Sequence, residues 1–146
     1  MWRLRRVRRL PWRARWVLFE ALLYLAMARV ALKLLSFARL TRFFNRTART
    51  MVSGAERDAL RSDVQWAIAE AKLYLPGETV CFPQAMAAQA MLRRRGISST
   101  LYYGAATLPT RKLKAHVWLQ DGSIGVVGHE VATEYHILAQ YPKSVS

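Results

Sequence analysis

The chain has 146 residues, enough for one ordinary domain with a single core, and 53% of its residues are apolar. Its formal net charge is +14, and residues 1–50 account for most of it, with thirteen Lys and Arg residues against a single acid, Glu20. Large apolar residues alternate with these arginines, and no zinc-finger, helix-turn-helix or RNA-recognition pattern accompanies them. This composition disfavours nucleic acid as a partner and favours an anionic membrane surface or a hydrophobic protein partner.

The apolar stretch at residues 17–37 raises the question of a membrane span or a signal peptide. Glu20, Arg29 and Lys33 interrupt it, so it lacks the roughly 20 mainly apolar residues that a spanning helix needs. The amphipathic pattern also continues past Ala28, where a signal peptide would end. A single cysteine excludes an internal disulfide and fits a reducing compartment. We therefore expect a cytoplasmic protein, with the inner face of the membrane as a candidate place of attachment.

The first half of the chain predicts helices. An arginine-rich lead-in, residues 1–12, precedes one or two helices over 13–44 and a polar connector over 45–54. Apolar residues then recur every three or four positions over 55–75, which predicts another helix. Ser53 and Glu56 resemble a capping box at its start, and Pro76-Gly77 is a stop signal at its end.

The second half predicts one helix followed by a small sheet. The helix runs from Cys81 to Arg95 with Gly96 as its C-cap. Its expected core residues are Met86 and Ala90, with Met91 as a further candidate, and Ala87 and Ala88 allow close packing. The predicted strands are 99–103, 115–120 and 124–128, with Asp121-Gly122 as a two-residue hairpin turn and 104–114 as an exposed loop. A last stretch, 132–141, carries the expected packing residues Tyr135, Ile137 and Leu138.

Cys81 and His116 are the candidate catalytic residues. Cys81 begins a predicted helix, where the dipole and the free first-turn N–H groups stabilise a thiolate and point towards a developing oxyanion. His116 lies in a predicted strand, and a neutral imidazole can take the thiol proton and later protonate a leaving amine. Taken singly, a cysteine or a histidine in such a place is more often a packing residue. No Cys/His spacing indicates a metal site, and no cofactor is expected.

Five stretches of the sequence resemble the lasso-peptide leader peptidases, the transglutaminase-like B proteins of lasso-peptide biosynthesis. They are CFPQAMAAQAMLRRRGI (81–97), LYYG (101–104), KAHVWL (114–119), VVGHE (126–130) and YHILAQYP (135–142). The resemblance covers roughly residues 55–142 and extends more loosely to the N-terminal helices. It implies an α+β fold with a papain/transglutaminase-like core, in which a catalytic helix packs on a small antiparallel sheet. The expected division is a basic helical N-terminal region, 1–54, and a cysteine peptidase domain, 55–146.

The same resemblance implies a function and partners. Such a peptidase removes the leader from a ribosomally made precursor through an acyl-enzyme on Cys81, with His116 as base, and an ATP-dependent cyclase then closes the ring. Residues 1–54 show no strand pattern, so we expect a separate winged-helix recognition protein to deliver the leader. Two alternatives stay open: transfer of the acyl group to an amine, and a non-catalytic adaptor that holds precursor and cyclase at the membrane.

The third catalytic residue is less well defined by the sequence. The family often places an Asp on the strand after the histidine strand, but this chain has none there. Glu130 is the first candidate, Asp121 the second and His129 the third, and the absence of any third residue is also compatible. A two-residue turn at Asp121-Gly122 would place Val127 opposite His116. Gln84, one turn after Cys81, is a candidate for polarising the substrate carbonyl.

Overall fold

The computed structural model describes residues 2–46, 52–75 and 81–142, and these residues form five α-helices and one four-stranded antiparallel sheet. The helices are α1 (Trp2–Arg9), α2 (Trp12–Leu34), α3 (Phe37–Phe44), α4 (Gly54–Ala71) and α5 (Cys81–Arg94). The strands are β1 (Thr100–Thr107), β2 (Leu113–Asp121), β3 (Ile124–Val127) and β4 (His136–Tyr141), with a 3₁₀ helix (His129–Glu134) before β4. The predicted α+β class, a helix packed on a small antiparallel sheet after N-terminal helices, is confirmed.

The helix α5 lies at the centre of the molecule. Every residue from Pro83 to Leu92 is buried, because α2 and α4 pack on it from one side and β2 from the other. The residues predicted to pack here, Met86, Ala87, Ala88, Ala90 and Met91, are all buried, but the buried surface extends around the whole helix and not along one stripe. The alanines of this helix let the neighbouring elements pack close to its backbone, because a methyl side chain takes up less space than a larger one.

The N-terminal helices share this core. Leu18, Ala21 and Leu25 of α2 and Phe44 of α3 are buried in the same apolar cluster as α5. The lead-in is also helical, as α1, and it is fastened to the end of α4: Arg6 pairs with Glu70 at 3.2 Å. The division at residue 54 stays a prediction, although helices on both sides of it contribute to one core.

The start of α4 agrees with the sequence and its end does not. Ser53 occupies the N-cap position with an extended backbone, as predicted, but its side chain makes no capping hydrogen bond. The helix ends at Ala71 rather than at residue 75, and the chain continues through a turn. The predicted stop at Pro76-Gly77 and residues 47–51 of the connector lie outside the described residues.

The sheet has the strand order β3-β2-β1-β4. Its central hairpin is longer than predicted, because β1 and β2 pair without interruption from Thr100 opposite Gln120 to Thr107 opposite Leu113. The prediction of a loop over 104–114 was therefore wrong for most of its length. Ala105 and Ala106 are short and only partly buried, whereas Leu113 and Lys114 are exposed, so no alternation of apolar and polar residues identifies this part as a strand.

The hairpin between β2 and β3 differs from the prediction by one residue. Asp121 pairs with Ile124, so the turn consists of Gly122 and Ser123. A register shift between Leu119 and Gln120 then places Val127 opposite Leu119. The predicted position of Val127 opposite His116 was wrong, because a bulge of this kind leaves no mark in the apolar pattern.

The segment between β3 and β4 crosses the sheet from one edge to the other. It contains the 3₁₀ helix and Tyr135, whose ring lies against His116 and Trp118 of β2. Tyr135 is buried as predicted, whereas Ile137 and Leu138 are 57% and 63% exposed. The expectation that Ile137 and Leu138 pack in the core was wrong, because they lie on an edge strand and outside the core.

Candidate active site

Cys81 is the first residue of α5 and is half-buried against the apolar core. The next residue, Phe82, packs its ring on Phe44 of α3 at 5.7 Å between ring centroids. The N-terminal turn of a buried helix carries N–H groups without partners in the helix, and they favour negative charge nearby. A thiolate or an oxyanion at Cys81 would therefore be stabilised by its position.

His116 lies on β2, on the face of the sheet that points away from α5. Val117 and Leu119 belong to the buried core that includes α5. Successive side chains of a strand point to opposite faces, so His116 and Trp118 point to the other one. Contacts agree with this assignment, since the rings of His116 and Trp118 are stacked at 5.9 Å and Trp118 stacks on Tyr102 at 5.6 Å.

The imidazole of His116 is held from two sides. Its Nε2 lies 2.7 Å from the carbonyl oxygen of Gly128, just after β3. A carbonyl only accepts, so Nε2 carries the proton, and in the neutral ring Nδ1 is left as the basic nitrogen. The ring of Tyr135 covers the imidazole at 5.1 Å between centroids. The tautomer and the orientation of a potential base are thus fixed by a backbone group and an aromatic ring.

The structure does not join the two predicted catalytic side chains. The elements that carry them are in contact, since α5 packs on β2. Among the described residues, however, no hydrogen bond connects Cys81 with His116, and His116 lies on the face of β2 opposite to α5. The catalytic pair stays a prediction, and its two members occupy neighbouring but separate environments in this structure.

Asp121 binds two arginines of α4 and not the imidazole. It is 4% exposed, and its carboxylate accepts hydrogen bonds from Arg57 and, at 2.8 Å, from Arg61. Burial alone would raise the pKa of Asp121, but the hydrogen bonds and charges of Arg57 and Arg61 outweigh it and hold that pKa below its ordinary value. This arrangement fastens the β2–β3 hairpin to α4.

The other candidates for a third residue are on the crossover segment. Glu130 has a side chain that is 71% exposed, and its carboxylate lies 3.9 Å from Nδ1 of His129. Neither side chain makes a hydrogen bond to His116. Gln84 is buried in α5, one turn after Cys81. The identity of a third catalytic residue, and the role of Gln84, stay predictions.

Three features of the site were missed in the sequence. The carbonyl of Gly128 and the ring of Tyr135 hold His116, and their positions depend on a crossover that no local pattern encodes. The third feature is the pair Arg57 and Arg61, which are four residues apart and so lie on one face of a helix. That spacing was a usable signal that α4 binds a buried acid.

In the parts of the chain that the structure covers, no three His, Cys, Asp or Glu side chains lie together as metal ligands would. None of the helices described combines the length and the apolar character needed to cross a membrane.

Comparison with known proteins identifies a family. Residues 21–140 match the transglutaminase-like superfamily, which is more than half of the 146 residues. The chain therefore belongs to the transglutaminase-like superfamily, which includes cysteine peptidases and acyltransferases. The match begins inside α2, so that it includes helices that precede residue 54. No curated protein and no solved structure gave a match.

Proposed function

We propose that the protein is a cysteine peptidase that removes the leader from a lasso-peptide precursor. The observation that carries the proposal is the position of the chain's one cysteine, Cys81, at the start of the buried helix α5 in a chain of the transglutaminase-like superfamily. The five stretches quoted above, which resemble leader peptidases, supply the choice of substrate.

The proposed reaction is acyl transfer to water. The sulfur of Cys81 attacks the scissile carbonyl carbon, and first-turn N–H groups of α5 bind the oxyanion. Nδ1 of His116 takes the thiol proton and delivers it to the leaving amine as the peptide C–N bond breaks. Water then attacks the thioester, the imidazole accepts one of its protons, and the leader leaves as a carboxylic acid while Cys81 recovers its thiol.

This reaction requires an approach of Cys81 and His116 that is not present in the described arrangement. Catalytic hydrogen bonds are often long or poorly aligned without substrate and tighten in the productive complex. Here the side chain of His116 must in addition leave its place beside Trp118 and Tyr135. We infer that the pair forms when the precursor binds, delivered in the cytoplasm by a separate winged-helix recognition protein and passed on to an ATP-dependent cyclase. The free protein should then cleave the precursor slowly, and addition of the recognition protein should accelerate cleavage.

The test is cleavage of the precursor, with its recognition protein, followed by mass spectrometry. We expect Cys81→Ala to lower the rate at least about a thousandfold, as removal of a nucleophile does in other acyl-transfer enzymes. His116→Ala should have a similar effect. His136→Ala is the matched control, because His136 is exposed on β4 and should leave the rate unchanged. Circular dichroism would verify that each variant is folded.

Other outcomes assign other functions. A labelled amine that is incorporated in place of water would identify an acyltransferase. Two results would contradict the peptidase proposal and favour an adaptor. One is that Cys81→Ala cleaves the precursor as well as wild type does. The other is that wild type does not cleave it with every component present. Because Cys81 is the only cysteine, alkylation of wild type by iodoacetamide tests the same thiol without a mutation.

A further inference from the structure

The helix α2 is apolar on two opposite faces, and only one of them is covered. Its buried face contributes Leu18, Ala21, Leu25 and Ala28 to the core. Its other face carries seven large apolar side chains, each at least half exposed, which we call the outer stripe: Trp12, Trp16, Phe19, Leu23, Met27, Val30 and Leu34. An exposed apolar surface of this extent marks an interaction site more often than chance exposure.

The outer stripe is continuous and straight. Its members follow one another at three or four residues, so that a turn of 100° per residue places all seven in an arc about 80° wide. At 1.5 Å per residue the stripe is about 33 Å long. Its arc is centred about 180° from the buried residues, which means that it points directly away from the core.

Cations border the outer stripe along its length. Arg13 and Arg15 border it near its N-terminal end, where they line the same surface depressions as Trp12 and Trp16. Towards the other end, an apolar groove of about 320 Å³ lies between α2, α3 and α5. Its lining includes Met27 of the stripe and three arginines, of which Arg39 and Arg42 belong to α3 and Arg46 follows it.

The one acid of residues 1–50 does not oppose this positive charge. Glu20 has a side chain that is only 13% exposed, and it is paired with Arg95 at 2.6 Å and with Arg94 at 3.2 Å.

Arg13 makes an exposed ion pair with Asp63 at 3.8 Å. Among the described residues, Arg15, Arg39 and Arg42 pair with no acid, so the long apolar strip is bordered by uncompensated arginines. Such a protein surface complements a binding partner that has an apolar interior beneath an anionic outer layer.

We propose that the outer stripe binds the surface of an anionic lipid bilayer, with α2 lying parallel to the membrane plane. Apolar side chains on one face and flanking Arg residues are the features of helices that lie in a membrane interface, and Trp prefers the same depth. The absence of a spanning helix among the described residues is compatible with surface attachment. This proposal is independent of the peptidase activity.

Co-sedimentation with vesicles tests the proposal, with the full chain carrying Cys81→Ala so that catalysis plays no part. We expect binding to vesicles of phosphatidylcholine with 30% phosphatidylglycerol, and much weaker binding to phosphatidylcholine alone. Replacement of Arg15 by Gln should weaken binding about fivefold, because it removes one uncompensated cation from the anionic surface. Added salt should also weaken binding.

The apolar contribution needs its own variant and control. Leu23→Asn with Met27→Asn should weaken binding about tenfold or more, since both side chains would lie in the acyl boundary. Leu138→Asn is the matched control, because Leu138 is 63% exposed on β4 and should leave binding unchanged. Unaltered binding by the Leu23/Met27 variant would overturn the proposal. So would failure of the parent chain to bind anionic vesicles, in which case an acidic protein partner would be the occupant.

Discussion

The two faces of the sheet use the same strand for different purposes. On the face towards α4 and α5, β2 contributes Val117, Leu119 and Asp121, which are all buried. On the opposite face it contributes His116 and Trp118, covered by a single crossover segment. The first face is packed by two helices and by the ion pairs of Asp121 with two arginines. The second is packed by a few aromatic rings and by one hydrogen bond from His116 to a backbone carbonyl.

The difference between the two faces indicates that residues on the helix face determine stability and residues on the crossover face determine the state of His116. Loss of a side chain on the helix face leaves a cavity or an unpaired charge inside the core. Loss of a contact on the crossover face alters the imidazole without opening the core. Substitutions on the two faces of β2 should therefore separate stability from the state of His116.

The largest effect should follow from Asp121→Ala. It leaves Arg61, whose side chain is 9% exposed, without a buried counter-ion, and loss of one partner of a buried pair costs about 3 to 5 kcal/mol. Asp58→Ala is the control, since Asp58 also pairs with Arg61 but is 64% exposed and should cost less than about 1 kcal/mol. Urea unfolding measures both, and equal losses would contradict the structural role of Asp121.

Leu119→Ala should have the next largest effect. Leu119 is fully buried between the sheet and the helices, and truncation of such a leucine costs about 2 to 5 kcal/mol through lost burial and the cavity that remains. Ile137→Ala on β4, where the side chain is 57% exposed, should change stability by only about 0.5 kcal/mol. A comparable loss in both variants would mean that β4 is covered and that the two faces are not distinct.

Gly128→Ala should act mainly on the crossover face. Gly128 has φ +71°, and an added methyl would lie 3.0 Å from the carbonyl oxygen of Val117 and 3.1 Å from Nε2 of His116. Gly122→Ala is a matched control, because Gly122 has φ +62° but open space around the new methyl. We expect Gly128→Ala to cost about 1 kcal/mol more than Gly122→Ala.

The NMR signals of the His116 ring show whether Gly128 acts on the imidazole or only on stability. The NMR signals of the His116 ring should shift in Gly128→Ala and remain in place in Gly122→Ala. Identical His116 signals in wild type and Gly128→Ala would contradict the hydrogen bond from Nε2 to the Gly128 carbonyl.

The pH dependence of stability should give the smallest effect, because pH 3 lies only about one unit below the unfolded pKa of Asp121 and removes only part of its stabilisation. The pKa of Asp121 is lower in the folded than in the unfolded protein, so the folded state binds the proton less readily. The stabilisation is fully present above the unfolded pKa of about 3.9 and is lost as pH falls through the folded pKa. Urea titrations between pH 6 and pH 3 should show a shallower slope for Asp121→Asn than for Asp58→Asn, and equal slopes would contradict this assignment.

Much of the fold was predictable because its signals are local. The start of α5 at Cys81, the N-cap position of Ser53 and the three predicted strands all follow from residue type and period within short windows. The failures concern pairing between distant residues. The bulge at Leu119 and the extension of the β1–β2 ladder depend on partners elsewhere in the chain.

The candidate site was predictable in its residues and not in its arrangement. Cys81 and His116 stand where their motifs predict them, on a helix start and a strand. The face on which His116 lies is decided by the register and by the crossover, and Asp121 faces α4 for the same reason. Residue spacing alone could not distinguish an acid that orients an imidazole from one that binds two arginines.

The crossover that covers His116 also has a consequence for the order of folding. It ends in β4, which pairs with β1 across a long sequence separation, as in Gly104 opposite Ile137. Contacts between distant residues close large loops and form later than local ones. The β1–β2 and β2–β3 hairpins can therefore form before β4 docks on β1, and the bond from His116 to Gly128, which spans only 12 residues, forms with the second of them. The imidazole of His116 is thus a natural reporter of an early, local step in folding.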